Sequence, residues 1–148
     1  MISSSKALEL LSNVGLDIKK IISITKQSDY SEIDENIGYN EDDPEERLLE
    51  NEIYRLLENL DVIKDRIDYL NLPILVIGKL TKNKQGRFVL ATHEFHCGDR
   101  IEFLYYDEIN EKNEWSISTI EHDGNDYYAV GYQKVCLLGV TARLRNFG

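Results

Sequence analysis

Residues 69–80 read YLNLPILVIGKL, and the hydrophobic period of the chain changes within this stretch. Before Pro73 the apolar residues recur at spacings of three and four, which is typical of amphipathic helices. After Pro73 they form short runs rich in β-branched and aromatic residues, which favours strands. Because Pro73 disfavours helical geometry at Leu72, we expect a helix to end there. The sequence therefore predicts an α+β protein, with a helical domain over residues 1–72 and a small all-β domain over residues 73–148.

Two amphipathic stretches precede Pro73. The first covers residues 7–22, and the second repeats apolar residues at heptad spacing over residues 49–70. Asp43 can cap the second helix, and Pro44 suits its first helical position. Since one amphipathic helix cannot bury its apolar stripe alone, we expect an antiparallel helical hairpin. A further helix, the second half of the chain or a second subunit would complete its core.

The apolar seam of the second helix is the strongest functional signal in the sequence. A helical pair of this size has little core of its own. The seam can therefore pack inside the hairpin, pair two chains, or do both. We predict a homodimer or a complex with a partner protein. The predicted interface residues are Leu49, Ile53, Leu56, Leu60, Ile63 and Ile67.

The negative charge of the chain is concentrated in the helical half. The net charge is −10, and 17 acidic and 8 basic residues occur up to Leu72, against 10 and 9 after it. This field should repel nucleic acid and anionic membranes. The predicted loop over residues 28–46 contains nine acidic residues and no basic one. Comparison with an EF-hand loop beginning at Asp34 fails, because Gly38 falls at the fifth position and not the sixth. We expect a solvated acidic loop.

Several classes of protein are disfavoured by the sequence. The chain has neither an apolar run long enough to span a membrane nor the pattern of a signal peptide. Two cysteines, Cys97 and Cys136, imply no disulfide framework, so we expect a cytoplasmic protein. Phosphate-loop and dinucleotide fingerprints are missing, and Ser116, His122 and Asp123 lack the local signature of a catalytic triad. We therefore expect a non-enzymatic protein with no cofactor and no membrane association.

The second half contains about six strand-like segments and no helical pattern. Glycine-containing turns separate these segments, and Asp123-Gly124 has typical tight-turn chemistry. Such a series predicts a small antiparallel β-barrel or a strongly curled sheet. The segments are PILVIGKL, GRFVLA, RIEFLYY, EWSISTIEH, DYYAVGY and GVTARLR.

Nucleic-acid binding by the β domain is the alternative function. Basic residues lie on one predicted hairpin and on the last strand, and nearby tyrosines and Trp115 could stack on bases. The nearly neutral charge of this half and the acidic helices joined to it disfavour this alternative. The candidate nucleic-acid-binding residues are Lys82, Lys84, Arg87, Arg143 and Arg145.

Residues 92–100, THEFHCGDR, place three zinc-competent side chains within five positions. They are His93, His96 and Cys97. Their spacing is not that of a usual zinc-ligand pair, and no second ligand pair follows. We predict a turn between two strands, and no metal site.

Four stretches together resemble a small uncharacterised domain family of Gram-positive bacteria that is often found near mobile elements. The resemblance covers residues 69–145 and implies helices ahead of a β-rich part. In that family, small polar residues usually occupy the places of His96 and Cys97, which argues against a shared metal site. The resemblance implies no activity. The four stretches are YLNLPILVIGKLTKNKQGRFVL, HEFHCGDRIEFL, STIEHDGNDYYAVGY and LLGVTARLR.

Overall fold

The computed structural model describes residues 1–25 and 37–145. The chain divides into two compact units, Met1–Asn71 and Leu72–Gly148. The predicted acidic loop over residues 28–46 lies in part outside the described residues, as does the first position of the EF-hand comparison, Asp34.

The first unit contains two long helices, α1 (Ser4–Thr25) and α2 (Pro44–Asn71). The expected start of α2 is confirmed: the Asp43 carboxylate accepts a hydrogen bond from the Glu45 amide at 2.9 Å, and Pro44 is the first helical residue. Such a cap satisfies one of the amide groups that lack a partner within the helix. The helix ends two residues before Pro73, at the change of period in the sequence.

The two helices pack as an antiparallel hairpin. The Ile67 side chain lies 3.6 Å from the position that a β-carbon on Gly15 would take. The Asn71 side-chain amide donates a hydrogen bond to the Ser12 hydroxyl at 2.9 Å. Contacts between residues 12 and 71 and between 15 and 67 show that the helices run in opposite directions. Because Gly15 has no side chain, Ile67 packs directly on the α1 backbone.

The second unit is built from antiparallel strands. Its described residues form a five-stranded sheet in the order β1-β8-β5-β6-β7 and a three-stranded sheet in the order β2-β3-β4. The strands are β1 (Ile74–Lys79), β2 (Thr81–Lys82), β3 (Phe88–Leu90), β4 (His93–Glu94), β5 (Arg100–Asp107), β6 (Lys112–His122), β7 (Tyr127–Ala129) and β8 (Thr141–Arg145).

The predicted α+β class is confirmed, but the predicted barrel is not found. Each of the six predicted segments contains a strand, and two further strands, β2 and β4, are only two residues long. Over residues 72–145 neither sheet closes on itself, since β1 and β7 lie at opposite edges of the larger sheet. Closure would require those two edge strands to pair with each other.

The core of the second unit lies between the inner faces of the two sheets. It is made of aromatic and aliphatic side chains from most strands, together with Leu80, Phe95 and Leu137 from the segments between strands. Gly78 of β1 permits the close approach of the smaller sheet, because a β-carbon there would lie 3.1 Å from the Leu90 side chain of β3. The buried core residues are Leu80, Phe88, Leu90, Phe95, Ile101, Phe103, Ile120, Ala129, Leu137, Ala142 and Leu144.

Replacing Gly78 with valine should destabilise the second unit by about 1–3 kcal/mol, because the added methyl groups overpack the contact with Leu90. Urea denaturation followed by the fluorescence of Trp115 measures this loss. Ile77→Val is the control, since the Ile77 side chain is exposed, whereas a side chain at Gly78 would meet the buried Leu90. A Gly78→Val protein as stable as wild type would show that the two sheets separate freely at this point.

Candidate interaction surfaces

The predicted interface residues of α2 divide into two groups. Ile67 is 6% exposed, and Ile53 and Leu60 are half-buried. In contrast, Leu49, Leu56 and Ile63 are 61%, 59% and 47% exposed. One half of the predicted seam therefore packs within the first unit, and the other half remains on its surface.

The exposed half of the seam extends to Leu70, which is also exposed. Leu49, Leu56, Ile63 and Leu70 follow one another at intervals of seven residues, and we call them the α2 row. Seven residues make nearly two turns of an α-helix, so the four side chains lie along one line. At 1.5 Å per residue the α2 row is about 32 Å long.

A second exposed apolar row runs along α1 and consists of Leu10, Val14 and Ile21. When each helix is viewed along its axis from its N-terminus, its exposed row lies to the same side of the residues that face the other helix. Because the helices are antiparallel, both rows lie on the same side of the hairpin. We call the seven side chains of the two rows the hairpin face. The sequence pattern contains all three residues of the α1 row, but it does not show which residues of the stripe remain exposed.

The N-terminal end of the α2 row forms an acidic groove. A depression of about 410 Å³ beside Leu48 and Leu49 is bordered by Glu45, Glu46 and Glu52. A neighbouring depression of about 280 Å³ lies between the segment at residues 37–39 and α2. An apolar floor with carboxylates at its edge suits an aliphatic side chain that lies next to a basic one.

The candidate basic residues of the β2–β3 hairpin are mostly engaged in ion pairs. The Lys82 ammonium lies 2.5 Å from an Asp126 carboxylate oxygen. Nη1 of Arg87 lies 2.5 Å from Oε1 of Glu94. Arg87 also donates to the Tyr127 hydroxyl at 3.3 Å. Lys84 is exposed in the turn. The structure thus brings acidic partners to two of the three cations predicted to bind nucleic acid here.

The two arginines of β8 hold a buried carboxylate. Glu102 of β5 is 0% exposed, and it accepts hydrogen bonds from Arg143 and, at 2.5 Å, from Arg145. Arg145 also donates to the Leu72 carbonyl at 2.8 Å. The Arg143 guanidinium stacks 4.2 Å from the centre of the Trp115 ring. Sequence reasoning missed the role of Glu102, although its place on a strand between apolar residues was a signal.

The stretch over residues 92–100 forms the predicted connection between strands. The His96 amide donates to the Asp99 carboxylate at 2.7 Å, and the Asp99 amide donates to the His96 carbonyl at 3.1 Å. Gly98 has a φ of 88°, a conformation that glycine adopts without steric cost. The His93 ring packs edge-on against Phe95. Within residues 1–25 and 37–145, no three His, Cys, Asp or Glu side chains are grouped as a metal site requires.

Fold and surfaces together define a two-unit α+β protein, with an apolar face on a helical hairpin and an antiparallel β unit rich in ion pairs. Residues 78–144, less than half of the chain, match a family model described as a domain of unknown function (DUF5348). The match falls within the β unit. No curated protein and no solved structure matches the chain significantly. In the part of the chain that the structure describes, neither helix combines the length and apolarity needed to cross a bilayer.

Replacing Glu102 with glutamine should destabilise the second unit by about 3–5 kcal/mol, because two largely buried guanidinium groups would lose their counter-charge. Urea denaturation followed by Trp115 fluorescence provides the measurement. Glu114→Gln is the control, since its ion pair with Lys112 is partly exposed and should contribute about 1 kcal/mol or less. A loss as small as that of the control would show that water replaces Glu102 around both arginines.

The ion pairs of the β2–β3 hairpin should make the β unit sensitive to acid. The hydrogen bond from Arg87 lowers the pKa of Glu94 below its ordinary value of 4.5, and the hydrogen bond from Lys82 lowers the pKa of Asp126 below 3.8. A carboxylate whose pKa is lower in the folded state stabilises the fold above its unfolded-state pKa, and this stabilisation is lost as the pH falls.

We therefore expect the denaturation midpoint to fall from about pH 5 to pH 3. The fall should be shallower in the double variant Glu94→Gln, Asp126→Asn. Midpoints of urea denaturation across this range test the expectation, with Glu108→Gln at an exposed turn position as the control. Parallel profiles for the wild type and the double variant would contradict it.

Proposed function

We propose that the chain is a non-enzymatic protein-interaction and assembly module whose contact surface is the hairpin face. The observation that carries this proposal is the exposure of the α2 row at strict heptad spacing. Exposed apolar residues scattered singly are normal on any protein surface. Four of them in one line, beside a second such line on α1, are the pattern of a helix that packs against other helices.

The dimensions of the hairpin face support a stable contact. Monomeric proteins rarely expose contiguous apolar patches larger than a few hundred Å². The seven large aliphatic side chains lie in two rows, the longer of which is about 32 Å long. Their combined area approaches the ~800 Å² that each partner buries in a standard interface. Burying them would stabilise the complex by the hydrophobic effect, in proportion to the apolar area removed from water.

Nucleic-acid binding is the second candidate function, and one pair of side chains supports it. Arg143 and the partly exposed Trp115 form a stacked pair on the outer face of the larger sheet. Aromatic rings beside cations are the elements that bind single strands. However, Asp126, Glu94 and Glu102 pair with four of the five candidate cations. These pairings reduce the charge available for phosphate groups, so we favour the assembly function.

The setting of this function is also part of the proposal. The resemblance of residues 69–145 to a family of Gram-positive bacteria suggests that the module serves a mobile element in the cytoplasm. Assembly through the helical unit would leave the β unit free for the role that this family shares.

The double variant Leu56→Asp, Ile63→Asp should abolish assembly, because two carboxylates per chain would then lie in the apolar contact. The measurement is the mass of the complexes that a tagged chain forms with an untagged copy and with proteins of its native cell extract. Val62→Asp is the matched control, since Val62 is 66% exposed on α2 outside the row. Circular dichroism checks that all variants keep their helices. Unchanged complexes in the double variant would refute the hairpin face as the contact surface.

A further inference from the structure

We infer that the partner of the hairpin face is a second copy of this chain, and that the two α2 helices pack antiparallel about a twofold axis close to Asn59. This inference rests on the proposed assembly function and specifies its partner and geometry. It follows from the symmetry of the α2 row and from the charges beside it.

The four residues of the α2 row are all aliphatic and equally spaced, so the row matches a copy of itself that runs in the opposite direction. An antiparallel copy whose axis lies midway between the levels of Asn59 and Leu60 places Leu49 opposite Leu70 of the second copy and Leu56 opposite Ile63. The four residues of one copy thus meet the four residues of the other along the whole row. A twofold interface requires such self-complementarity, because the same patch is used on both sides.

The residues beside the row carry complementary charges in this arrangement only. Glu52, Asn59 and Arg66 each follow a residue of the row by three positions, so they lie along one flank of it. Antiparallel pairing about this axis brings Glu52 of each copy within one residue, about 1.5 Å along the helix, of Arg66 of the other. It also brings the two Asn59 side chains together at the axis. In a parallel pair, Glu52 and Arg66 of opposite copies would be about 21 Å apart along the helices.

The flank is available for these contacts in the first unit. Glu52 pairs with Arg55 at 3.0 Å in the same helix, but both side chains are more than half exposed. Exposed ion pairs of this kind contribute little stability, so an exchange of partners costs little. Arg66 is exposed on the surface of α2. Glu52 also borders the acidic groove beside Leu49, where Leu70 and Arg66 of the second copy would supply the aliphatic and basic groups that this groove suits.

A charge exchange on the full chain tests the predicted pairs. Glu52→Arg or Arg66→Glu alone should weaken dimerisation by roughly 3- to 30-fold, because each change turns two attractive pairs of the dimer into repulsive ones. The double variant Glu52→Arg, Arg66→Glu restores both pairs and should recover most of the wild-type affinity. Sedimentation equilibrium over a range of protein concentrations gives the dissociation constants.

A disulfide at the twofold axis tests the register independently. In a background with Cys97→Ser and Cys136→Ser, Asn59→Cys should form a covalent dimer on mild oxidation. A disulfide requires α-carbons within about 7 Å, which only residues close to the axis satisfy. Glu58→Cys is the matched control, since it is adjacent and exposed but lies on another side of α2. Non-reducing electrophoresis compares the two yields.

The outcomes separate this inference from the function on which it rests. Rescue by the double charge variant together with selective cross-linking at residue 59 supports the inference. A wild-type dimer without rescue or without that cross-link overturns the antiparallel register and leaves the assembly function standing. A wild-type chain that is monomeric at every concentration overturns the second copy as partner. Dimers that persist in Leu56→Asp, Ile63→Asp overturn both.

Discussion

A helix with two apolar rows can bury only one of them against a single neighbouring helix. In α2 one row, with Ile53, Leu60 and Ile67, is buried or half-buried, and Ile67 packs against α1 at Gly15. Packing at Gly15 determines the rotation of α2 about its axis, and this rotation leaves the α2 row exposed. The exposed apolar surface, on which the proposed assembly depends, is therefore a direct consequence of how the hairpin forms.

The candidate basic residues of the β unit pair mainly with acidic residues of the same unit. Arginines of β8 hold Glu102 of the central strand β5, and cations of the β2–β3 hairpin hold Asp126 and Glu94. Except for Arg87 and Glu94, these pairs join segments far apart in the sequence, and Lys82 and Asp126 are separated by 44 residues. Breaking such a pair leaves a partly buried charge uncompensated, which is why the pairs favour one arrangement of the strands. Their cations are correspondingly less available to an anionic ligand.

The sequence predicts those features that depend on local periodicity. Heptad spacing revealed the seam of α2, Asp43 and Pro44 revealed its start, and short runs of β-branched and aromatic residues between turns revealed the six main strands. Heptad spacing defines a stripe, but the side of the stripe that meets α1 depends on Gly15, whose role becomes visible only when both helices are in place. The partners of Lys82 and Arg143 depend in the same way on strand pairing, since each partner is about 40 residues distant. Whether the sheet closes depends on the pairing of its edges, which no local pattern specifies.

The distribution of charge along α2 agrees with the proposed interface. The helical half of the chain is strongly acidic, and acidic residues such as Glu58, Asp65 and Asp68 lie on α2 away from the row. Beside the row the flank contains one acidic residue, one neutral residue and one basic residue. Long-range repulsion between two acidic chains is screened within about 10 Å at moderate salt. The local balance of the flank, and not the net charge of the chain, therefore determines whether two α2 helices can meet.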